Sequence, residues 1–261
     1  MDITYLAPIW YIEIEGYKLN KIIRFVVNSS YKDPIDTADI EIQYQPELAS
    51  VFSDGMSATI YMGYREQGLA LVFKGNITKI NRDKIITIHC QNQARLLKKS
   101  LIRAFYNIKP DSVIKWCLAQ VGISDADVYS GLPPFARFIA NGTGIEIFKK
   151  VANTWSLKDW CYYIEPEDQF YWGPIAQSPR AKTDPFIFEA PGNIISHEAK
   201  DGYGIIEARS TPNIRPLNLI NVIDKRYWSN YKTLRVSKVK YLQDQTKART
   251  YIEWESQEMS S

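Results

Sequence analysis

Eight basic side chains fall between Asp224 and Arg249: Lys225, Arg226, Lys232, Arg235, Lys238, Lys240, Lys247 and Arg249, set against the two acids Asp224 and Asp244. Tyr227, Trp228, Tyr231 and Tyr241 are interleaved with them. Cations spaced among flat rings can follow a phosphate backbone while the rings stack on bases. The same pattern also suits lysines on exposed strand faces, where they block unwanted pairing between sheets, or a docking surface for an acidic protein partner. The candidate docking residues are Lys225, Arg226, Trp228, Lys232, Arg235, Lys238 and Lys240. Nucleic acid is not expected as a specific ligand, because the formal net charge of the chain is only +3.

Hydrolytic chemistry has one candidate. Glu165, Glu167 and Asp168 could supply the paired carboxylates that cleave glycosidic bonds, as a cell-wall hydrolase requires. Their place in a proline-marked loop also suits plain solvation. The two histidines, His89 and His197, have no second ligand at metal-binding spacing. Asn141-Gly-Thr-Gly144 lacks the lysine of a phosphate loop and the third glycine of a dinucleotide fingerprint, so it reads as a helix-capping loop. Cys90, Cys117 and Cys161 are odd in number, far apart and set among apolar residues, the pattern of reduced core thiols. No catalytic set, metal site or cofactor is expected.

These residues must be carried by strands for the most part. Asp39-Ile-Glu-Ile-Gln-Tyr-Gln45 alternates polar and apolar positions without a break, the signature of a half-buried strand. Ser53-Asp-Gly55 marks a turn before a β-branched and aromatic run from Ala58 to Tyr64. Leu69 to Phe73 follows, then Lys74-Gly75, where a bulge is expected, then Ile77 to Ile80. Asn81-Arg-Asp-Lys84 connects to Ile85-Ile-Thr-Ile-His-Cys90, so these strands predict a small, nearly closed antiparallel sheet.

The period then changes. Gln93 to Leu101 reads as a short helix with Leu96, Leu97 and Leu101 inward. Pro110-Asp-Ser112 opens a helix whose apolar face is Val113, Ile114, Cys117, Leu118 and Val121, closed by Gly122. Thr143-Gly-Ile-Glu146 has capping-box spacing and starts another. Trp160 to Ile164 and Phe170 to Trp172 form a hairpin. Beyond Gly192 strands return at 194–198, 204–209, 217–223, 233–242 and 248–255. Leu219 to Ile223 takes the place of Thr59 to Met62, Leu234 to Val239 that of Gly75 to Ile80, and Thr250 to Trp254 that of Ile86 to Cys90.

The expected fold is therefore mainly β with an α+β insert: a first antiparallel β-barrel over 1–92, the insert over 93–192 and a second barrel over 193–261. No apolar run reaches the roughly 20 residues that cross a bilayer, and Met1 to Leu6 has no basic lead into an apolar signal segment. Synthesis in the cytoplasm is expected. The seven tryptophans and 17 tyrosines suit subunit contacts as well as core, since such rings bury one edge and hydrogen-bond with the other.

Gly55 to Tyr64, Val72-Phe-Lys-Gly-Asn-Ile-Thr-Lys-Ile80 and Ile86 to Gln93, with the leucine pair Leu96-Leu97 behind them, resemble the first barrel of the bacteriophage late control protein D family, the tail baseplate hub. The segment from Asp111 to Val121 resembles that family's next helix, and Asn193 to Glu255 its closing barrel. The resemblance implies a structural, non-enzymatic hub in the virion tail, made in the host bacterial cytoplasm. It implies a homotrimer whose two barrels alternate in a pseudo-sixfold ring, with a tail tube protein and a spike as partners. Since the sequence stops after the second barrel, the spike is expected to be a separate protein. A tail-associated wall hydrolase and a single-stranded nucleic-acid binder are the alternatives.

Overall fold

In the computed structural model, residues 8–19 and 21–256 are described. The chain divides into two compact units: residues 1–92 together with 180–261, and residues 93–179.

The first unit begins with β1 (Pro8–Ile14), β2 (Tyr17–Leu19), β3 (Arg24–Ser30) and β4 (Thr37–Gln43). A short helix α1 (Pro46–Val51) leads to β5 (Ser57–Tyr64), β6 (Gly68–Arg82) and β7 (Ile85–Gln91). Alternation drives these strands: Ile40, Ile42, Ile86 and Ile88 are fully or almost fully buried, while Asp39, Glu41, Thr87 and His89 reach the other face. The expected bulge at Lys74-Gly75 is displaced. Lys74 and Gly75 pair in regular register with Thr59 and Ala58, and the irregularities fall between Ile60 and Tyr61 and between Ile77 and Lys79. Gly75 is needed for a different reason, because a Cβ there would lie 2.3 Å from the Gln91 carbonyl oxygen.

The second unit contains β8 (Ser100–Ile108), β9 (Ala126–Val128), β10 (Phe135–Thr143), β11 (Trp160–Ile164) and β12 (Phe170–Pro174), with α2 (Pro110–Val121) and α3 (Gly144–Thr154). Proline at the first turn and left-handed Gly122 bound α2. The expected capping box at α3 is complete, with Glu146 N–H donating to Thr143 Oγ1 and Thr143 N–H to the Glu146 carboxylate. The helix expected over Gln93 to Leu101 ends at Lys98 as a 3₁₀ turn, and the chain from Ser100 becomes β8, paired with β10.

The chain then returns to the first unit with β13 (Phe186–Glu189), β14 (Ile194–Lys200), β15 (Tyr203–Arg209), β16 (Leu219–Ile223), β17 (Lys232–Asp244) and β18 (Ala248–Ser256). All strands of this unit belong to one 13-stranded sheet, in the order β14-β15-β18-β17-β3-β4-β7-β6-β5-β1-β2, with β16 also on β17 and β13 beside β16. The fold is mainly β and mostly antiparallel; the parallel pairs are β13 with β16 and β9 with β12. One apolar core runs through both halves of this sheet, from Ile12 and Phe25 to Val239 and Trp254. Cys90, Cys117 and Cys161 are free and buried, and burial pushes the thiols of Cys90 and Cys117 up to about 12. No helix among the described residues is long and apolar enough to cross a membrane.

Candidate functional site

The basic tract is divided by the fold. Arg235, Lys238 and Lys240 lie on the outward face of β17, where their cross-strand partners on β18 are Glu255, Glu253 and Tyr251. Lys238 Nζ donates to Glu253 at 3.0 Å, and the Lys240 ammonium sits over the Tyr251 ring. Arg235 and Lys238 therefore face acids one strand away that lie beyond the end of the tract. Lys225, Arg226 and Trp228 occupy the loop before β17, and Lys232 begins that strand. Arg226 is held by Asp224 through its Nε and Nη2, at 2.9 and 2.7 Å, and Lys232 lies over the Trp228 ring. The structure thus makes two groups of these residues, an exposed loop and a charge-paired strand face.

Asp224 is buried beneath that loop and also accepts from His197 Nδ1 at 3.0 Å. Hydrogen bonds from Arg226 hold its carboxyl well below the usual carboxylate range, against the opposing effect of burial. The His197 ring packs among Tyr227, Trp228 and Trp254. His89 instead lies on an open strand face, with Nδ1 2.6 Å from Asp39 Oδ1 and Nε2 3.2 Å from Asn81 Nδ2. Among the described residues no group of histidine, cysteine and acidic side chains is arranged to hold a metal ion. Glu165, Glu167 and Asp168 form the tip of the β11–β12 hairpin, with Asp168 in the left-handed region and their side chains open to solvent to differing degrees.

The feature with the most structure behind it is the repeat. Apart from β2, each half of the first unit has six strands, and in both the second, third, sixth, fifth, fourth and first lie side by side: β3-β4-β7-β6-β5-β1 and β14-β15-β18-β17-β16-β13. Thr78 is the extra residue between the pairs Ile77–Cys90 and Lys79–His89, and Ser237 the extra residue between Val236–Trp254 and Lys238–Glu253. Just before the bulge, Ile77 exchanges backbone hydrogen bonds with Gly55 and Met56, and Val236 does the same with Leu217 and Asn218. Just after it, Arg82 Nη2 donates to the Phe52 carbonyl and Tyr241 Oη to the Ile214 carbonyl. The sequence alignment of β17 with β6 and of β18 with β7 agrees with this register. The alignment of β16 with β5 is two residues off, since Leu219 stands where Ser57 does. A shift of two keeps the same face, so side-chain pattern could not detect it.

The two halves are joined by a contact that sequence reasoning missed. Lys238 to Asp244 of β17 pair with Ser30 to Arg24 of β3, antiparallel. Tyr31 and Lys32 then reach across to Glu255, and burial with that carboxylate raises the Tyr31 hydroxyl well above its ordinary value. The available signal was the alternation of Phe25 and Val27, both buried, in Arg24–Ser30.

A duplicated, mostly antiparallel strand order with a bulge at the same place in β6 and β17 defines the fold class; the outermost pair differs, β1 running antiparallel to β5 and β13 parallel to β16. No protein-family model and no curated protein matches the chain by sequence. Solved structures do match. The 43 kDa tail protein of prophage MuSo2 from Shewanella oneidensis superimposes with a TM-score of 0.76 at 11% identity, over 98% of this chain and 100% of that one. A tail protein from Neisseria meningitidis gives 0.74 at 11% identity, over 97% of each chain. An E. coli component of the type VI secretion system, described as similar to the phage T4 tail proteins gp27 and gp5, gives 0.62 at 10% identity, over 94% of this chain and 76% of that one. The structural neighbours are thus phage tail proteins and hub-like secretion components, in keeping with the resemblance seen in the sequence.

Proposed function

We propose that this protein is a structural hub of a phage tail baseplate or tail tip, or of a related injection system. It forms a homotrimeric pseudo-sixfold ring between the tail tube and a spike. The observation that carries the reading is the equivalence of Thr78 and Ser237. One chain holds two halves of a sheet with the same strand order and the bulge at the same place. Each copy of the repeat serves as one tube-type barrel. Three chains then offer six similar surfaces to a sixfold tube while keeping true threefold symmetry for the spike.

The role is non-enzymatic, and the working surfaces are docking surfaces. Lys225, Arg226, Trp228 and Lys232, in the exposed loop and at the start of β17, and Arg235, Lys238 and Lys240 on its outward face form the candidate docking set. Lys225, Trp228 and Lys232 are favoured, because Arg226 is held by Asp224 while Arg235 and Lys238 face Glu255 and Glu253. The protein is made in the host cytoplasm and ends in the virion tail.

Light scattering on purified protein tests the ring. The expected mass is three times the 30.1 kDa of one chain. A species that stays monomeric at high concentration, or a stable dimer, overturns the proposal.

A further inference from the structure

The junction between β17 and β3 uses one edge from each repeat, so each repeat also has the other half of such a junction to offer. In the second repeat that half is β14, which among the described residues pairs with β15 alone and forms one end of the sheet. In the first it is the end of β6. Beyond Ile77, the side of β6 that faces away from β7 carries no strand among the described residues.

We infer that the end of β6 pairs antiparallel with β14 of a second copy of this chain, in the register that β17 and β3 use within one chain. The inference rests on the ring reading above and specifies its interface. The bulges align Asn81 with Lys240 and Arg82 with Tyr241. The pairings of β4 with β7 and of β15 with β18 align Ile40 with Ile206, and hence Val27 with Ala199 and Asn28 with Lys200. Inside the chain Lys240 faces Asn28 and Tyr241 faces Val27. Asn81 therefore faces Lys200 of the partner subunit, and Arg82 faces Ala199 of the partner subunit.

Burial supports the assignment. Val239, Tyr241 and Val27 are at most 1% exposed at the internal junction. Their counterparts Ile80 and Ala199 are only half-buried and Arg82 is exposed, as expected of a junction whose second member is absent. Ile85, 40% exposed, flanks the end of β6, and Ile195, 45% exposed, lies on β14. The loop at Phe52 does not block the edge, because the equivalent loop at Ile214 makes the same hydrogen bond while β17 is paired. The contact is head-to-tail. One internal and one external junction per chain alternate around a ring that three chains close.

The test is disulfide trapping in the full-length double variant Asn81→Cys, Lys200→Cys. Residues directly opposite in an antiparallel pair have Cβ atoms about 4.5–5.5 Å apart, close enough to bridge with a small adjustment. The native thiols are buried and give little background. Mild oxidation is expected to convert the double variant, but neither single variant, to a covalent trimer on a non-reducing gel. Amide exchange of wild-type protein supplies a readout free of substitutions: residues 79–82 and 199–200 should be protected in the assembled form and exposed after dissociation. A wild-type trimer without trapping and without this protection overturns the edge pairing and leaves the ring standing. A wild-type monomer at all concentrations overturns both.

Discussion

Gly204 lies directly across from Trp254, and a Cβ on Gly204 would come within 2.4 Å of the indole ring and of the Glu198 carbonyl oxygen. The equivalent pair in the first repeat is Ala38 with Cys90. One repeat thus spends its volume on a tryptophan and a glycine, the other on two small side chains. Each solution fills the same layer of the sheet, and the two cannot be mixed. Gly204→Ala is expected to destabilise the protein by about 1–3 kcal/mol through overpacking, read as a lower midpoint in urea. In a Trp254→Phe background the same change should cost less, because the two sites share one space.

Gly55 and Leu217 hold equivalent positions before β5 and β16, and both are left-handed, with φ of 91° and 78°. Glycine takes that backbone with ease; leucine is strained there and is compensated by complete burial. Gly55→Ala meets no atom within 4 Å, so its expected loss is the backbone term alone, about 1 kcal/mol. Leu217→Ala should lose more, about 2–5 kcal/mol, since it keeps the strain and empties a core position. Thermal unfolding of the two variants side by side reads the difference.

The sequence made some of this visible and hid the rest for physical reasons. α2 and α3 were legible because their signals are local: a proline, a glycine and a capping box. The strands from β14 to β18 were legible because one face is buried and the other wet. Only Ser100 and Leu101 of β8 fall within the expected helix; the rest of the strand carries no clear signal because Ile102 and Tyr106, 76% and 70% exposed, give its outer face apolar residues and spoil the alternation. Its partner β10 lies beyond α2, too far along the chain for any local pattern. The glycine at position 75 pointed to a bulge, yet the bulge sits at Thr78, where nothing in the residue type marks it. The docking tract looked strongly basic because Glu253 and Glu255 fall outside it in sequence and opposite it in space.

That opposition has a measurable consequence at Lys238 and Glu253, whose side chains are 43% and 45% exposed. An exposed pair of this kind contributes under about 1 kcal/mol. Lys238→Glu should nevertheless lower the midpoint of thermal unfolding, because it places like charges across the ladder. Adding Glu253→Lys should restore most of the loss. A swapped pair that stays as unstable as the single variant would show that Lys238 acts through its packing on the strand and not through charge.

Asp224 ties the exposed loop to the core, and its partners set a pH window. Arg226 and His197 bond its carboxylate in the folded state, with Tyr227 packed on the histidine, and the carboxyl is held far below its ordinary value of 3.8. A depressed folded value means that the unfolded chain binds a proton more readily. The stabilisation is therefore fully present above about pH 4, and it is lost as the pH falls below that range toward the folded value. Asp224→Asn removes the charge at every pH and should cost about 2 kcal/mol near neutrality, the scale of hydrogen bonds to a charged group. Urea midpoints of wild type and variant should differ by a constant amount from pH 7 to pH 5 and converge as the solution is taken below pH 4. A gap that persists unchanged at pH 3 would mean that the aspartate works by shape alone. The same variant should also loosen the loop bearing Lys225 and Trp228, seen as faster amide exchange there, which separates the anchoring of the docking loop from a general loss of stability.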